Sequence, residues 1–134
     1  MAEAFQLEVA TPERLIVEER VTEAQIPARD GYFGVLPGHA PLVAELKSGV
    51  MSYMTGGSTR YLAIHGGFVE VLPEQVRVLA DIGERAEEID VPRAQAALTR
   101  AQRTLEDAHV DLDPASALAK MQRAQARLEA AAKK

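Results

Sequence analysis

Phe68-Val69-Glu70-Val71-Leu72-Pro73-Glu74-Gln75-Val76-Arg77-Val78-Leu79 decides the fold of the first two thirds of the chain. Val69 and Val71 alternate with Glu70, and Val76, Val78 and Ala80 alternate with other side chains. Period-two alternation puts one face of a strand on a core and the other toward solvent. Pro73-Glu74 between the two runs supplies the turn, so 68–72 and 75–79 read as a β-hairpin. Toward the N-terminus the same pattern recurs: Phe5, Leu7 and Val9 alternate with Gln6 and Glu8. Turn signals punctuate the interval at Thr11-Pro12, Asp30-Gly31, Pro37-Gly38, Lys47-Ser48-Gly49, Gly56-Gly57-Ser58 and Gly66-Gly67. About nine short strands at this spacing imply an antiparallel β-sandwich over residues 1–86.

Beyond residue 86 the pattern changes. Residues 87–134 contain no glycine and 13 of the 48 are alanine, the best helix former. The first helix is expected to open at Asp90, an N-cap residue, with Pro92 in the first turn, where the missing N–H costs nothing. Its apolar stripe is Ala94, Leu98, Ala101, Leu105 and Ala108. The second opens at Asp113 with Pro114 in first position, and its stripe is Ala117, Met121, Ala124, Leu128 and Ala131. The short connection around 109–113 makes the two helices antiparallel neighbours. Stripes this small bury little area, so the hairpin is expected to need a partner, a ligand or the sandwich to stay folded. The fold class is therefore α+β, a sandwich over 1–86 followed by a helical hairpin over 87–134.

The 134 residues carry a net charge of −5, which argues against a general nucleic-acid binder. Cysteine is absent, which removes disulfides and thiolate chemistry. No apolar run reaches the roughly 20 residues of a membrane helix, and Met1 to Val9 has no secretory pattern. A cytoplasmic location is expected. His39, His65 and His109 lack ligand spacing, no metal site is expected, and no serine has an adjacent base. No phosphate-binding or hydrolase motif is present, so no enzyme is expected.

Two constellations remain. The segment from Gly34 to Leu42, with Val35, Leu36, Pro37 and His39, reads either as a tight sandwich corner or as a loop presented to a partner. Arg93 and Arg100 are seven residues apart and Arg123 and Arg127 four apart, so each pair shares a helix face. Four guanidinium groups on one side of a hairpin either form a solvated face balanced by Glu87, Glu88, Glu106 and Asp107, or hold a polyphosphate in forked hydrogen bonds.

Three stretches together resemble one family. They are Val9-Ala10-Thr11-Pro12-Glu13-Arg14, Gly31-Tyr32-Phe33-Gly34-Val35-Leu36-Pro37-Gly38-His39-Ala40-Pro41-Leu42, and Ala63-Ile64-His65-Gly66-Gly67-Phe68-Val69-Glu70-Val71. In this order, before an alanine-rich helical tail, they are similar to the epsilon subunits of bacterial F-type ATP synthases over essentially the whole chain. The resemblance implies a ten-stranded sandwich and two helices in the central rotor stalk of a proton-translocating complex. It implies the gamma subunit and the c-ring as partners of the sandwich, with Tyr32, Val35, Leu36, Pro37 and His39 as contact residues. Tyr32 stands where an acidic residue is common in the family. The resemblance also implies a location peripheral to the cytoplasmic face of the membrane, and a hairpin that either folds against the sandwich or extends to inhibit ATP hydrolysis. Arg103, Arg123, Arg127, Lys133 and Lys134 would then meet an acidic loop of the beta subunit. Ile89-Asp90-Val91-Pro92-Arg93-Ala94 resembles the motif of members that bind ATP as a regulatory ligand, and implies a site of Glu84, Asp90, Arg93, Arg100, Arg123 and Arg127. Two alternatives stay open: a purely structural coupling subunit without nucleotide binding, and a free-standing nucleotide-binding module.

Overall fold

The computed structural model describes residues 3–107 and 113–133. Eight strands, β1 (Phe5–Ala10), β2 (Leu15–Val21), β3 (Glu23–Ala28), β4 (Gly31–Val35), β5 (Leu42–Glu45), β6 (Gly49–Thr55), β7 (Ser58–Val71) and β8 (Gln75–Arg85), are followed by a 3-10 turn at Ala86–Glu88 and by α1 (Val91–Glu106) and α2 (Pro114–Lys133). The strand order is β2-β1-β8-β7-β6-β3-β4, with β5 paired to β7. β2 and β6 touch although three strands separate them in that order, so the sheet folds over into two layers around one core.

The hairpin read from the sequence forms as expected. Val69 pairs with Val78 and Val71 with Val76, and all four side chains are buried. The Leu72 N–H donates to the Gln75 carbonyl at 2.8 Å to close the turn. Phe5, Leu7, Ile26, Met51, Leu62 and Ile64 complete the core. Each such side chain removed from water contributes about 1.5–3 kcal/mol.

Three details differ from the expectation. The strands number eight among the described residues, because Gly66-Gly67 does not end a strand. β7 runs through both glycines, at φ of 68° and 103°, and its register on β8 is unbroken from His65↔Ile82 to Gly67↔Ala80. The sandwich is not wholly antiparallel, since β1 pairs with β8 in parallel from Gln6↔Gln75 to Ala10↔Leu79. No tight turn constrains two strands this far apart in sequence, so packing rather than a hairpin sets their direction. Val35, expected at the partner loop, is 1% exposed and belongs to the core.

Both helices start where the caps place them. Asp90 Oδ1 accepts from the Arg93 N–H at 3.1 Å, and Asp113 Oδ1 accepts from the Ala115 N–H at 3.0 Å. Ala94 and Ala101 of α1 and Ala117, Ala124 and Ala131 of α2 are buried, while Leu98, Met121 and Leu128 are half-buried and Leu105 is 40% exposed. Ala108 and the connection at 108–112 lie outside the described residues. α2 has a second buried set, Ala126 and Ala130. Ala130 and Ala131 pack on Val50, Ala63, Ala86 and Ile89, beside Tyr61, so α2 is the element that docks the hairpin on the sandwich.

Candidate functional site

The docked hairpin leaves a cleft of about 410 Å³ between α1, α2 and the end of β8. Glu84, Glu88, Asp90, Arg93, Ala94, Ala97, Arg100 and Arg127 line it. The volume falls in the range of small-molecule sites. Five of the six expected site residues are in this lining. The sixth, Arg123, lines an adjoining cleft of about 330 Å³ with Ala97, Arg100, Ala101, Lys120 and Arg127. The shared residues make the two clefts neighbouring compartments.

Local geometry explains the convergence. Arg93, Ala94, Ala97 and Arg100 stand at spacings of one, three and three, which is one face of α1. The alanines leave room and the arginines border it. Arg127 reaches in from the facing helix and is tied to the sandwich through Glu84, whose Oε1 accepts from Arg127 Nε at 2.5 Å. Glu88 is held on the rim by Arg14, whose Nη1 and Nη2 donate at 2.9 and 3.3 Å. The hydrogen bond from Arg14 keeps the Glu88 carboxyl below its ordinary pKa.

The electrostatic balance follows. Glu84 is taken by Arg127, Glu88 by Arg14, and Asp90 by the start of α1. Arg93, Arg100 and Arg123 form no ion pair among the described residues. Unpaired guanidinium groups lining a cleft can hold an anion, and their fork suits phosphate or carboxylate oxygens. Sequence reading missed Glu88, Ala94, Ala97 and Lys120 as lining. The signal for the alanines was their spacing from Arg93 and Arg100; Glu88 showed only as a surface charge.

Because Asp90 caps α1 as well as lining the cleft, Asp90→Ala is expected to cost the hairpin about 1 kcal/mol. Hydrogen exchange of the first-turn amides of α1 checks this, and Asp90→Ser, which keeps a capping oxygen, is expected to restore protection.

The other expected surface is less uniform. Leu36 is 59% exposed, and Pro37 and His39 are partly buried. His39 Nδ1 lies 2.7 Å from the Ala40 carbonyl oxygen, and its ring stacks at a tilt on Phe33. The Tyr32 hydroxyl accepts from the Val50 N–H at 2.9 Å, with Lys47 Nζ 5.0 Å from its ring centroid, so this side chain lies along the sheet. A patch absent from the sequence reading lies on the outer face of β5, β7 and β8. Val43, Phe68 and Leu79 are each more than half exposed, and Phe68 pairs directly across from Leu79. Arg103 is exposed on the last turn of α1; Lys133 Nζ stands 5.9 Å from the Tyr61 ring centroid, and Lys134 lies outside the described residues. His65 is buried under α2. Among the described residues, no group of three or more metal-ligating side chains gathers, and no helix is long and apolar enough to cross a membrane.

Residues 4–86 match the family model "ATP synthase, Delta/Epsilon chain, beta-sandwich domain", and residues 87–132 match "ATP synthase, Delta/Epsilon chain, long alpha-helix domain". The chain is 58% identical over 134 residues to the ATP synthase epsilon chain of Solibacter usitatus (strain Ellin6076), with 100% of both chains covered. It is 47% identical over 133 residues to that of Syntrophobacter fumaroxidans (strain DSM 10017 / MPOB), with 99% of each covered. Among solved structures it resembles a chain of the Euglena gracilis mitochondrial ATP synthase OSCP/F1/c-ring assembly, at a TM-score of 0.84 and 25% identity, covering 98% of this chain and 83% of that one.

Proposed function

This chain belongs to the epsilon-chain family of F-type ATP synthases, whose place is the central stalk, and from that premise we propose that it is a non-catalytic coupling subunit whose docked hairpin binds ATP. The observation that carries the nucleotide reading is the arginine-lined cleft. Glu84 and Arg127 close it from the sandwich side, Asp90, Arg93 and Arg100 border it from α1, and Arg123 stands in the neighbouring compartment. Triphosphate oxygens take the place of the carboxylates that Arg93, Arg100 and Arg123 lack.

Regulation follows from where the site is. It exists only while α1 and α2 lie on the sandwich, because Glu84 belongs to β8 and Arg127 to α2. A ligand shifts a two-state equilibrium by its differential affinity for the two forms. ATP therefore favours the docked hairpin, and falling ATP frees it to extend and inhibit hydrolysis. The extended arginines then meet the acidic loop of the beta subunit. The sandwich joins the rotor through gamma and the c-ring, and the apolar patch of Val43, Phe68 and Leu79 with the Leu36 loop supports such docking. The chain is thus held peripherally at the cytoplasmic face of the membrane through a proton-translocating complex.

Calorimetric titration of the full chain with ATP and ADP tests this. Binding is expected to be tighter for ATP and at least tenfold weaker in the Arg93→Ala, Arg127→Ala double variant, since hydrogen bonds to charged groups contribute about 1.5–3 kcal/mol each. No binding up to millimolar ATP would overturn the nucleotide site and make these arginines contacts for the catalytic head alone.

A further inference from the structure

β7 passes beneath α2 with alternating side chains. Leu62 and Ile64 turn into the sandwich core, so Ala63 and His65 turn outward, yet both are buried. The outward face of a strand is buried only where another element covers it, and α2 is the element that lies on β6 and β7. Under that cover His65 is 3% exposed, the one buried polar side chain among the described residues. Its Nδ1 is 3.3 Å from Ser48 Oγ. Its Nε2 has no hydrogen-bond partner among the described residues and stands 3.9 Å from Glu84 Oε1, the oxygen that accepts from Arg127 Nε.

The groups facing this imidazole come from every neighbouring element. β8 contributes Glu84, and Ile82 directly across the strand pair. α2 contributes Arg123 and Arg127, and the segment before β6 contributes the Ser48 hydroxyl. Two guanidinium groups already outnumber the single carboxylate, and Arg127 engages that carboxylate. A proton added to His65 places a third cation where water does not reach.

We infer that His65, buried beside the Glu84–Arg127 pair, gates the seating of α2: the hairpin docks on the sandwich while this imidazole is neutral, and protonation of the ring works against docking. The inference concerns the docking equilibrium itself and stands whether or not the cleft binds nucleotide.

The sign is set by the docked form. Burial first, then Arg127 and Arg123, lower the pKa of His65 from 6.5 to about 3. In the undocked form α2 no longer covers the ring, and its ordinary value returns. Above pH 6.5 the ring is neutral in both forms and docking has no dependence on it. As the pH falls through 6.5 the undocked form takes a proton that the docked form refuses, so docking weakens by up to tenfold per pH unit until about pH 3. The linkage is reciprocal: whatever holds the hairpin down also holds His65 neutral.

The chain has no cysteine, so exposed Glu18→Cys and Gln102→Cys can carry a donor–acceptor pair that reports hairpin closure in the full-length protein. Heteronuclear NMR of the imidazoles, with His65→Gln to assign the resonance, follows protonation in the same samples from pH 7.5 to 4.5. The ring is expected to stay neutral wherever the pair is closed and to charge only together with opening. In Ala130→Arg, which is expected to hold the pair open at pH 7.5, the ring is expected to titrate near 6.5. A ring that charges near pH 6.5 with the pair still closed overturns the inference. So does an opening with the same pH midpoint in His65→Gln as in the unsubstituted chain.

Discussion

Gly67→Val is expected to abolish the folded sandwich, with a loss of stability beyond about 4 kcal/mol. A Cβ built on Gly67 stands 2.0 Å from the Leu79 carbonyl oxygen and 2.8 Å from Ala80 Cα. Both are backbone atoms of β8, the strand to which β7 is zipped on either side of this point. Relief requires the two strands to part, which breaks the Phe68↔Leu79 and Val69↔Val78 pairs and opens the core beneath Val69 and Val78. The φ of 103° adds a conformational cost of about 1–3 kcal/mol for any side chain, and more for a β-branched one. Urea unfolding followed by circular dichroism measures the effect. Gly56→Ala is the control, because that position also has a positive φ of 56° but nothing within 4 Å of its added Cβ. It is expected to lose only about 1–2 kcal/mol. Equal midpoints for Gly67→Val and the unsubstituted chain would contradict the close crossing of β7 on β8.

The same glycines mark where sequence reasoning stopped. Gly66-Gly67 carries a strong local turn signal, and only the partner strand reveals that it lets β7 pass close to β8 without ending. Local signals did locate the 68–79 hairpin, because alternation and Pro73-Glu74 act within a few residues of each other. They also located the starts of α1 and α2, where Asp90 and Asp113 cap their own helices. The parallel pairing of β1 with β8 joins segments about seventy residues apart and has no local signature. Helical spacing brought Arg93 to Arg100 and Arg123 to Arg127, but that Glu84 reaches Arg127 depends on how the hairpin lies on the sandwich. Spacing is silent on that. Alanine explains why: α2 carries alanines at 126 and 130 as well as at the striped positions 124 and 131, so Ala130, which docks on the sheet beside Ala131, has no contrast with its neighbours in the sequence. His65 shows the same limit from the other side. From the sequence it is only a histidine without ligand spacing; its outward place on β7 beside Leu62 and Ile64, and its burial by the covering helix, come from the fold.

Ala130→Arg is expected to release the whole hairpin while leaving the sandwich folded. Ala130 is 0% exposed and meets Val50, Ala63, Ala86 and Ile89 at the seam between α2 and the sheet. An arginine there has two ways to stay docked. It can force α2 away from β6 and β7, with an overpacking cost of about 1–3 kcal/mol, or it can bury an unpaired guanidinium at a cost of several kcal/mol. The seam cannot absorb either. Its α2 side consists of two alanines, which bury little apolar area, supported by the Glu84–Arg127 pair at 28% and 26% exposure. The core is a separate cluster on the other face of the sheet, so the sandwich is not asked to yield. Undocking then separates Glu84 from Arg127 and removes one wall of the cleft, so ATP binding is expected to fall at least a hundredfold. Hydrogen exchange should show α1 and α2 unprotected and the core strands unchanged. Ala132→Arg adds the same charge two residues away at an exposed position, and it is expected to leave both docking and binding intact. If Ala130→Arg stays closed and binds ATP as before, the docking seam is not where the hairpin is held. If Ala132→Arg opens as well, charge on the tail rather than packing under Ala130 controls the hairpin.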